Sequence, residues 1–156
     1  YFAKNFTKYL KKDIQLIWQV GEHSKDLCDK IREKNIKIFK FIYNIDIAYS
    51  AADIVVSRAG ATAISEILHL AIPSILIPYP YHSDNQQNLN AKWLVKEKAA
   101  TIILQSEFSV KKLFEVLVEI ISDQDKLKTM AANAKGASIR DASERIAQHC
   151  IQACYD

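Results

Sequence analysis

Two segments of this sequence combine residue types suited to a ligand that carries both negative charge and hydroxyl groups. The first is Ser57-Arg58-Ala59-Gly60-Ala61-Thr62, which follows an apolar run and opens a helical pattern. Small side chains at Ala59, Gly60 and Ala61 let a ligand approach the backbone. The first-turn amides of a helix lack intrahelical acceptors, and the helix dipole favours an anion there. A phosphate or pyrophosphate suits that turn, although an ordinary strand-to-helix turn has the same composition. In the helix that follows, Ile64, Ile67, Leu68 and Ala71 form the apolar stripe, while Thr62, Glu66 and His69 share another face. Glu66 therefore projects sideways, one turn beyond the anion site. A carboxylate there can accept two hydrogen bonds from a ribose diol, or simply stand in water.

The second segment runs from Tyr79 through Pro80, Tyr81, His82, Ser83, Asp84 and Asn85 to Gln86 and Gln87, with Asn90 one turn on. Consecutive amides supply donors and acceptors matched to sugar hydroxyls but no acid, base or nucleophile. The loop reads either as a recognition surface or as a polar turn capped by Asp84. Two apparent motifs carry no chemistry. Asp123-Gln124-Asp125 fits the D-x-D metal pattern of sugar transferases but lies between two C-terminal helices, where helix capping explains it. His82, Ser83 and Asp84 are adjacent, so they cannot adopt triad geometry, and no nucleophile-elbow pattern is present.

The elements that must position these residues alternate. Helical spacing of Phe2, Phe6 and Leu10 predicts a helix over Tyr1 to Lys11. Strands are predicted over Asp13–Val20, Ile36–Ile42, Asp53–Ser57, Ser74–Ile77 and Ala100–Leu104. Between them come helices over Ser24–Asn35, Ala61–Ala71 and Asn85–Lys98, and a helical turn around Ile47–Ala51. Three helices close the chain. The first is capped by Ser109, with Val110, Leu113, Phe114, Leu117 and Ile121 inward; the second covers about Asp125 to Ala134. The last opens on a capping-box pattern, Asp141 and Glu144. This alternation predicts an α/β fold: a Rossmann-like parallel sheet, joined by right-handed crossovers and flanked by helices. In such sheets ligands bind at the carboxyl ends of strands, where both segments lie.

Composition bounds the rest. The 156 residues suit a single domain, 1–156, with 49% hydrophobic and 25% charged residues. Only three glycines occur (Gly21, Gly60 and Gly136), well under the roughly 7% of average usage. A self-contained G-x-G-x-x-G or P-loop site is thereby excluded. No apolar run approaches the ~20 residues of a membrane span. A net charge of +3 without basic blocks argues against nucleic-acid binding. The three cysteines have no metal-ligand spacing and read as reduced thiols. No metal and no cofactor is expected.

With these segments in view, nearly the whole chain resembles the C-terminal domain of the MurG family, the GlcNAc transferases of bacterial peptidoglycan synthesis. The resemblance rests on Ile17-Trp18-Gln19-Val20-Gly21, on Ala52 through Ala61 followed by Ser65-Glu66, and on Ile72-Pro73 with Ile77-Pro78-Tyr79-Pro80. It continues through Asp84 to Gln87 with Asn90-Ala91 and through Asp141 to Ala147. It implies a two-domain GT-B glycosyltransferase whose C-terminal half binds UDP-GlcNAc. An N-terminal half, not present in this sequence, would bind the lipid acceptor (lipid I) at the cytoplasmic face of the inner membrane, peripherally and without a span. By the same resemblance Glu66 holds the ribose hydroxyls and the backbone at Ile42 meets the uracil. Ala59, Gly60, Ala61 and Thr62 make the diphosphate-facing turn, with Arg58 beside them a further substrate-binding candidate, and Gln86 and Gln87 contact the GlcNAc, supported by Asn90.

The chemistry implied is a single inverting displacement by the 4-hydroxyl of MurNAc, giving lipid II, with UDP leaving. No catalytic residue falls within this sequence, because the general base is expected from the acceptor half. The family's glycine-rich loop, and the first strand that leads into it, are expected ahead of Tyr1. Ala71 stands where the family commonly has Gly. Two alternatives share the architecture: a standalone UDP-sugar-binding subunit of a two-subunit GlcNAc transferase, and a UDP-GlcNAc 2-epimerase-like domain. The epimerase would need acidic and histidine residues at the sugar, where this chain has glutamines.

Overall fold

A computed structural model describes residues 9, 13–24, 31, 33–81, 85–139 and 141–154. The helices expected over Tyr1–Lys11 and Ser24–Asn35 fall largely outside the described residues, as do Cys28, His82, Ser83 and Asp84. The strands are β1 (Leu16–Gln19), β2 (Ile36–Phe39), β3 (Val55–Ser57), β4 (Ser74–Leu76) and β5 (Ala100–Ile102). The helices are α1 (Ile45–Ser50), α2 (Ala61–His69), α3 (Gln86–Lys96), α4 (Val110–Ile121), α5 (Gln124–Ala137) and α6 (Ala142–Ala153). All strand pairs are parallel, as the alternation predicts. Among the described residues they form two sheets, β1-β2 and β3-β4-β5.

The three-stranded sheet is covered on both faces. Ile64, Ile67 and Leu68 of α2 and Ala91 and Leu94 of α3 pack with Leu76 on one side. Leu113 and Ile120 of α4 and Met130 of α5 pack with Ile75 and Ile103 on the other. A strand buried on both faces reads as a continuous apolar run, and Ile75 and Leu76 are fully buried. Each such side chain contributes roughly 1.5–3 kcal/mol. The amphipathic stripe of α4 serves two cores. Leu113 and Ile120 face the larger sheet, while Val110 and Phe114 join Ile36 beneath β1 and β2.

Strands are shorter than the apolar runs that encode them, because pairing ends where a partner turns. β2 stops at Phe39, so Ile42 lies in the loop before α1 rather than in a strand. Capping follows the side chains in two cases. Ser109 accepts from Lys112 N–H at 3.0 Å and Asp123 from Lys126 N–H at 2.9 Å. Asp123 is thus a cap, away from the strand ends. The capping box expected at Asp141 and Glu144 does not form. Asp141 has ψ near 16° instead of the extended conformation that aims a capping side chain at the first-turn amides. α6 carries no buried residue.

A cleft of about 910 Å³ separates the two sheets. It is walled by residues 13–19 and 51–58 and floored by Leu113, Phe114, Leu117 and Ile121. Val55 N–H bonds to Pro73 C=O, and Ser57 C=O accepts from Ile77 N–H. Val56, between them, presents its backbone groups to the opposite edge. On β1, Leu16 N–H bonds to Asn35 C=O and Val20 N–H to Phe39 C=O, so Ile17 and Gln19 likewise face away from β2. Among the described residues none of these outward amides has a backbone partner.

Candidate functional site

The site lies at the carboxyl ends of β3 and β4. After Ser57 the chain turns through Arg58, fully buried Ala59 and Gly60 into α2. Gly60 is the N-cap, and among the described residues no side chain bonds the first-turn amides. Its φ of −69° is open to any residue, and a Cβ there would meet nothing within 4 Å. Neither backbone conformation nor packing requires glycine at this point. The uncapped amides of Ala61 and Thr62, both exposed residues, open on this space.

Three of the expected site residues brace the strand ends against each other. Gln87 Oε1 accepts from Tyr79 N–H at 2.9 Å and from Ala59 N–H at 3.3 Å, tying the loop after β4 to the turn after β3. Asn90 Nδ2 donates to Ala59 C=O at 3.1 Å, and Gln86 Nε2 donates to Asn90 Oδ1 at 3.2 Å. Gln87 thus spends its oxygen on the scaffold, leaving its amide N–H₂ as the group suited to a ligand acceptor. Gln86 is exposed above it.

Arg58 Nη1 donates to Gln105 Oε1 at 2.7 Å, to Ile77 C=O at 3.0 Å and to Pro78 C=O at 3.3 Å. The guanidinium carbon sits 5.6 Å from the centre of the Tyr79 ring. Arg58 is therefore a strut between three strand ends as well as a positive charge beside the turn.

On the other side of α2, Glu66 is half-buried and accepts at Oε2 from the Tyr49 hydroxyl at 3.1 Å. Burial, and then the Glu66 carboxylate, push the Tyr49 phenol up to about 12, so it remains a donor through neutral pH. Ile42 N–H donates to Gln19 Oε1 at 2.8 Å. The exposed rings of Phe41 and Tyr43 flank it, edge to face with centroids 5.1 Å apart.

All the residues expected from sequence to bind donor therefore lie on the loops and first two helical turns that follow β2, β3 and β4. Sequence reasoning missed Gln19, Tyr49 and Gln105. Their partners are 23, 17 and 47 residues away, and no local spacing marks such pairs.

Residues 2–146 match the glycosyltransferase family 28 C-terminal domain. A relative from Ruminiclostridium cellulolyticum is named UDP-N-acetylglucosamine--N-acetylmuramyl-(pentapeptide) pyrophosphoryl-undecaprenol N-acetylglucosamine transferase. It is 37% identical over 150 residues, covering 92% of this chain and 41% of its own. A protein of the same name from Acetivibrio thermocellus is 40% identical over 135 residues, covering 84% and 37%. The crystal structure of Acinetobacter baumannii MurG superposes with a TM-score of 0.78 at 25% identity, over 93% of this chain and 44% of that one. The chain thus spans about two fifths of the length of the curated relatives it matches.

Proposed function

The chain belongs to the glycosyltransferase family 28 C-terminal domain family, and from that membership we propose that it is the donor-binding half of an inverting GlcNAc transferase. The donor is UDP-GlcNAc, and the acceptor is the MurNAc 4-hydroxyl of a polyprenyl-linked precursor, lipid I. The observation that carries this reading is the grouping of three features around α2. They are the uncapped turn at Gly60, the Glu66 carboxylate one turn on, and the Gln86 and Gln87 amides across from Ala59. Spaced this way they offer donors to a diphosphate, an acceptor to a ribose diol and amides to a sugar.

In that role the residues act by binding and electrostatics. As the bond to the anomeric carbon breaks, negative charge grows on the UDP oxygens. In this reading the amides of Ala61 and Thr62 and the α2 dipole face that charge, and preorganised donors favour it. Gln87, held by two backbone amides, presents its N–H₂ group in a fixed orientation. Ile42 N–H meets the base only when Gln19 releases it. Deprotonation of the acceptor hydroxyl belongs to a residue outside this chain, in an acceptor-binding half that associates peripherally with the cytoplasmic face of the membrane. No helix among the described residues is long and apolar enough to cross a membrane. The cleft between β1 and β3 is read as the place of this domain's first strand, contributed by polypeptide ahead of Tyr1.

Calorimetric titration with UDP, UDP-GlcNAc and UDP-glucose tests the reading. Wild type is expected to bind UDP and to prefer UDP-GlcNAc over UDP-glucose, with Glu66→Ala losing on the order of tenfold or more in affinity for all three. This chain by itself is expected to bind UDP weakly and to transfer no sugar. Absence of nucleotide binding by the intact polypeptide, or binding indifferent to Glu66→Ala, would overturn the assignment.

A further inference from the structure

Glu66 alone is an incomplete ribose site. A glutamate on an exposed helix face samples many rotamers, and ordering it on binding reduces affinity. In this molecule it is already ordered. The Tyr49 hydroxyl donates to Oε2 at 3.1 Å from a half-buried ring on α1. A carboxylate offers about four lone-pair positions, so one bond to Oε2 leaves Oε1 and the second lone pair of Oε2 for a pair of adjacent hydroxyls.

We propose that Tyr49 is a positioning residue for nucleotide recognition: it fixes the Glu66 carboxylate in the orientation that receives the ribose diol, and so sets discrimination for ribose over deoxyribose. The inference rests on the proposed role of Glu66. Its own support is geometric. α1 begins three residues after Ile42, whose amide is tethered to Gln19, and ends just after Tyr49, whose hydroxyl is tethered to Glu66. One short helix therefore links the loop read as the base contact to the carboxylate read as the ribose contact. Burial and Glu66 keep the phenol protonated at every pH below about 10, so the tether does not titrate in the working range.

The experiment measures UDP and 2′,3′-dideoxy-UDP affinities on the intact polypeptide for wild type, Tyr49→Phe, Glu66→Ala and the double variant. Tyr49→Phe removes one oxygen and keeps the ring, and dideoxy-UDP binding serves as the internal control for folding. Tyr49→Phe is expected to weaken UDP by on the order of tenfold while leaving dideoxy-UDP within about twofold. The double variant is expected to match Glu66→Ala alone, since the tether has no purpose without the carboxylate. Equal weakening of both nucleotides would make Tyr49 mere scaffold and overturn the proposal, as would no weakening of either. If Glu66→Ala weakens UDP and dideoxy-UDP equally, the ribose assignment itself falls and takes the proposal with it. If Glu66→Ala weakens UDP selectively and Tyr49→Phe does not, only the proposal falls.

Discussion

The Tyr49 hydroxyl ties α1 to α2 through Glu66, and that contact has a consequence for titration. Its phenol is raised from an ordinary 10 to about 12, first by burial and then by the Glu66 carboxylate. The folded state thus favours the protonated phenol. That contribution to stability is complete below pH 10 and is lost as pH rises from 10 through 12. Ultraviolet titration should find one tyrosine ionising late, absent in Tyr49→Phe. In Glu66→Gln its midpoint should fall but stay above 10, because burial is the larger cause; a midpoint unchanged by Glu66→Gln would contradict the contact. Gly60 makes a complementary case. Gly60→Ala should leave stability within about 1 kcal/mol, a lost N-cap preference being offset by lower unfolded-state entropy. UDP affinity should nonetheless fall on the order of tenfold if the methyl enters the diphosphate space; an unchanged affinity would move the anion elsewhere. At this scale the sequence singled out Glu66, Gln86 and Gln87 as candidates, because type and position were local facts. It could not reveal Gln19 or Tyr49, whose roles exist only once β1 lies beside the loop after β2 and α1 beside α2.

Elements end here in a way that composition conceals. α2 and α3 both finish in the same motif. Ile72 N–H reaches back to Ile67 C=O and Ala71 N–H to Leu68 C=O; Ala99 N–H reaches Leu94 C=O and Lys98 N–H Val95 C=O. This 6→1 and 5→2 pairing needs a left-handed residue after the C-cap, usually Gly. Ala71 and Lys98 occupy it, both with φ of 56°. The neighbouring residues hold that conformation: Ile72 and Ala99 are buried against the core, and β4 and β5 start at Ser74 and Ala100. A left-handed non-glycine residue costs about 1–2 kcal/mol, and glycine's extra unfolded freedom returns about 0.4–1 kcal/mol. Ala71→Gly and Lys98→Gly should therefore each stabilise the domain by about 0.5–1 kcal/mol, read from urea denaturation midpoints at unchanged slope. A destabilisation by either would mean the turn is not left-handed in solution. The hydrophobic periodicity located both helix ends to within a few residues. The resemblance noted Gly as the family's usual residue at Ala71 without giving its backbone conformation, and nothing in the sequence marked Lys98.

At the scale of the whole molecule, the outward backbone groups of β1 and β3 require partners. Buried or half-buried amides and carbonyls are almost always paired, and a row of unpaired ones on a strand edge invites pairing with another chain. Ile17 and Val56 are each 42% exposed and line the same cleft. Two strands that share a neighbour stand about 9.5 Å apart, twice the inter-strand spacing. A parallel strand seated there would merge the two sheets into one, with its carboxyl end emerging beside Gly60 and Ile42. Hydrogen exchange then has a residue-by-residue expectation. In the intact polypeptide the amides of Ile17, Gln19 and Val56 should exchange with deuterium as slowly as those of Val55 and Ser57, which already bond within the sheet. Should the cleft be open in the working protein, the alternation persists instead: Val55 and Ser57 protected, and Ile17, Gln19 and Val56 exchanging at rates typical of exposed loops. Peptide-resolved or NMR-detected exchange separates the two outcomes without any mutation. A fast-exchanging Val56 would make β3 a true edge strand and remove the reason to seat a strand in the cleft.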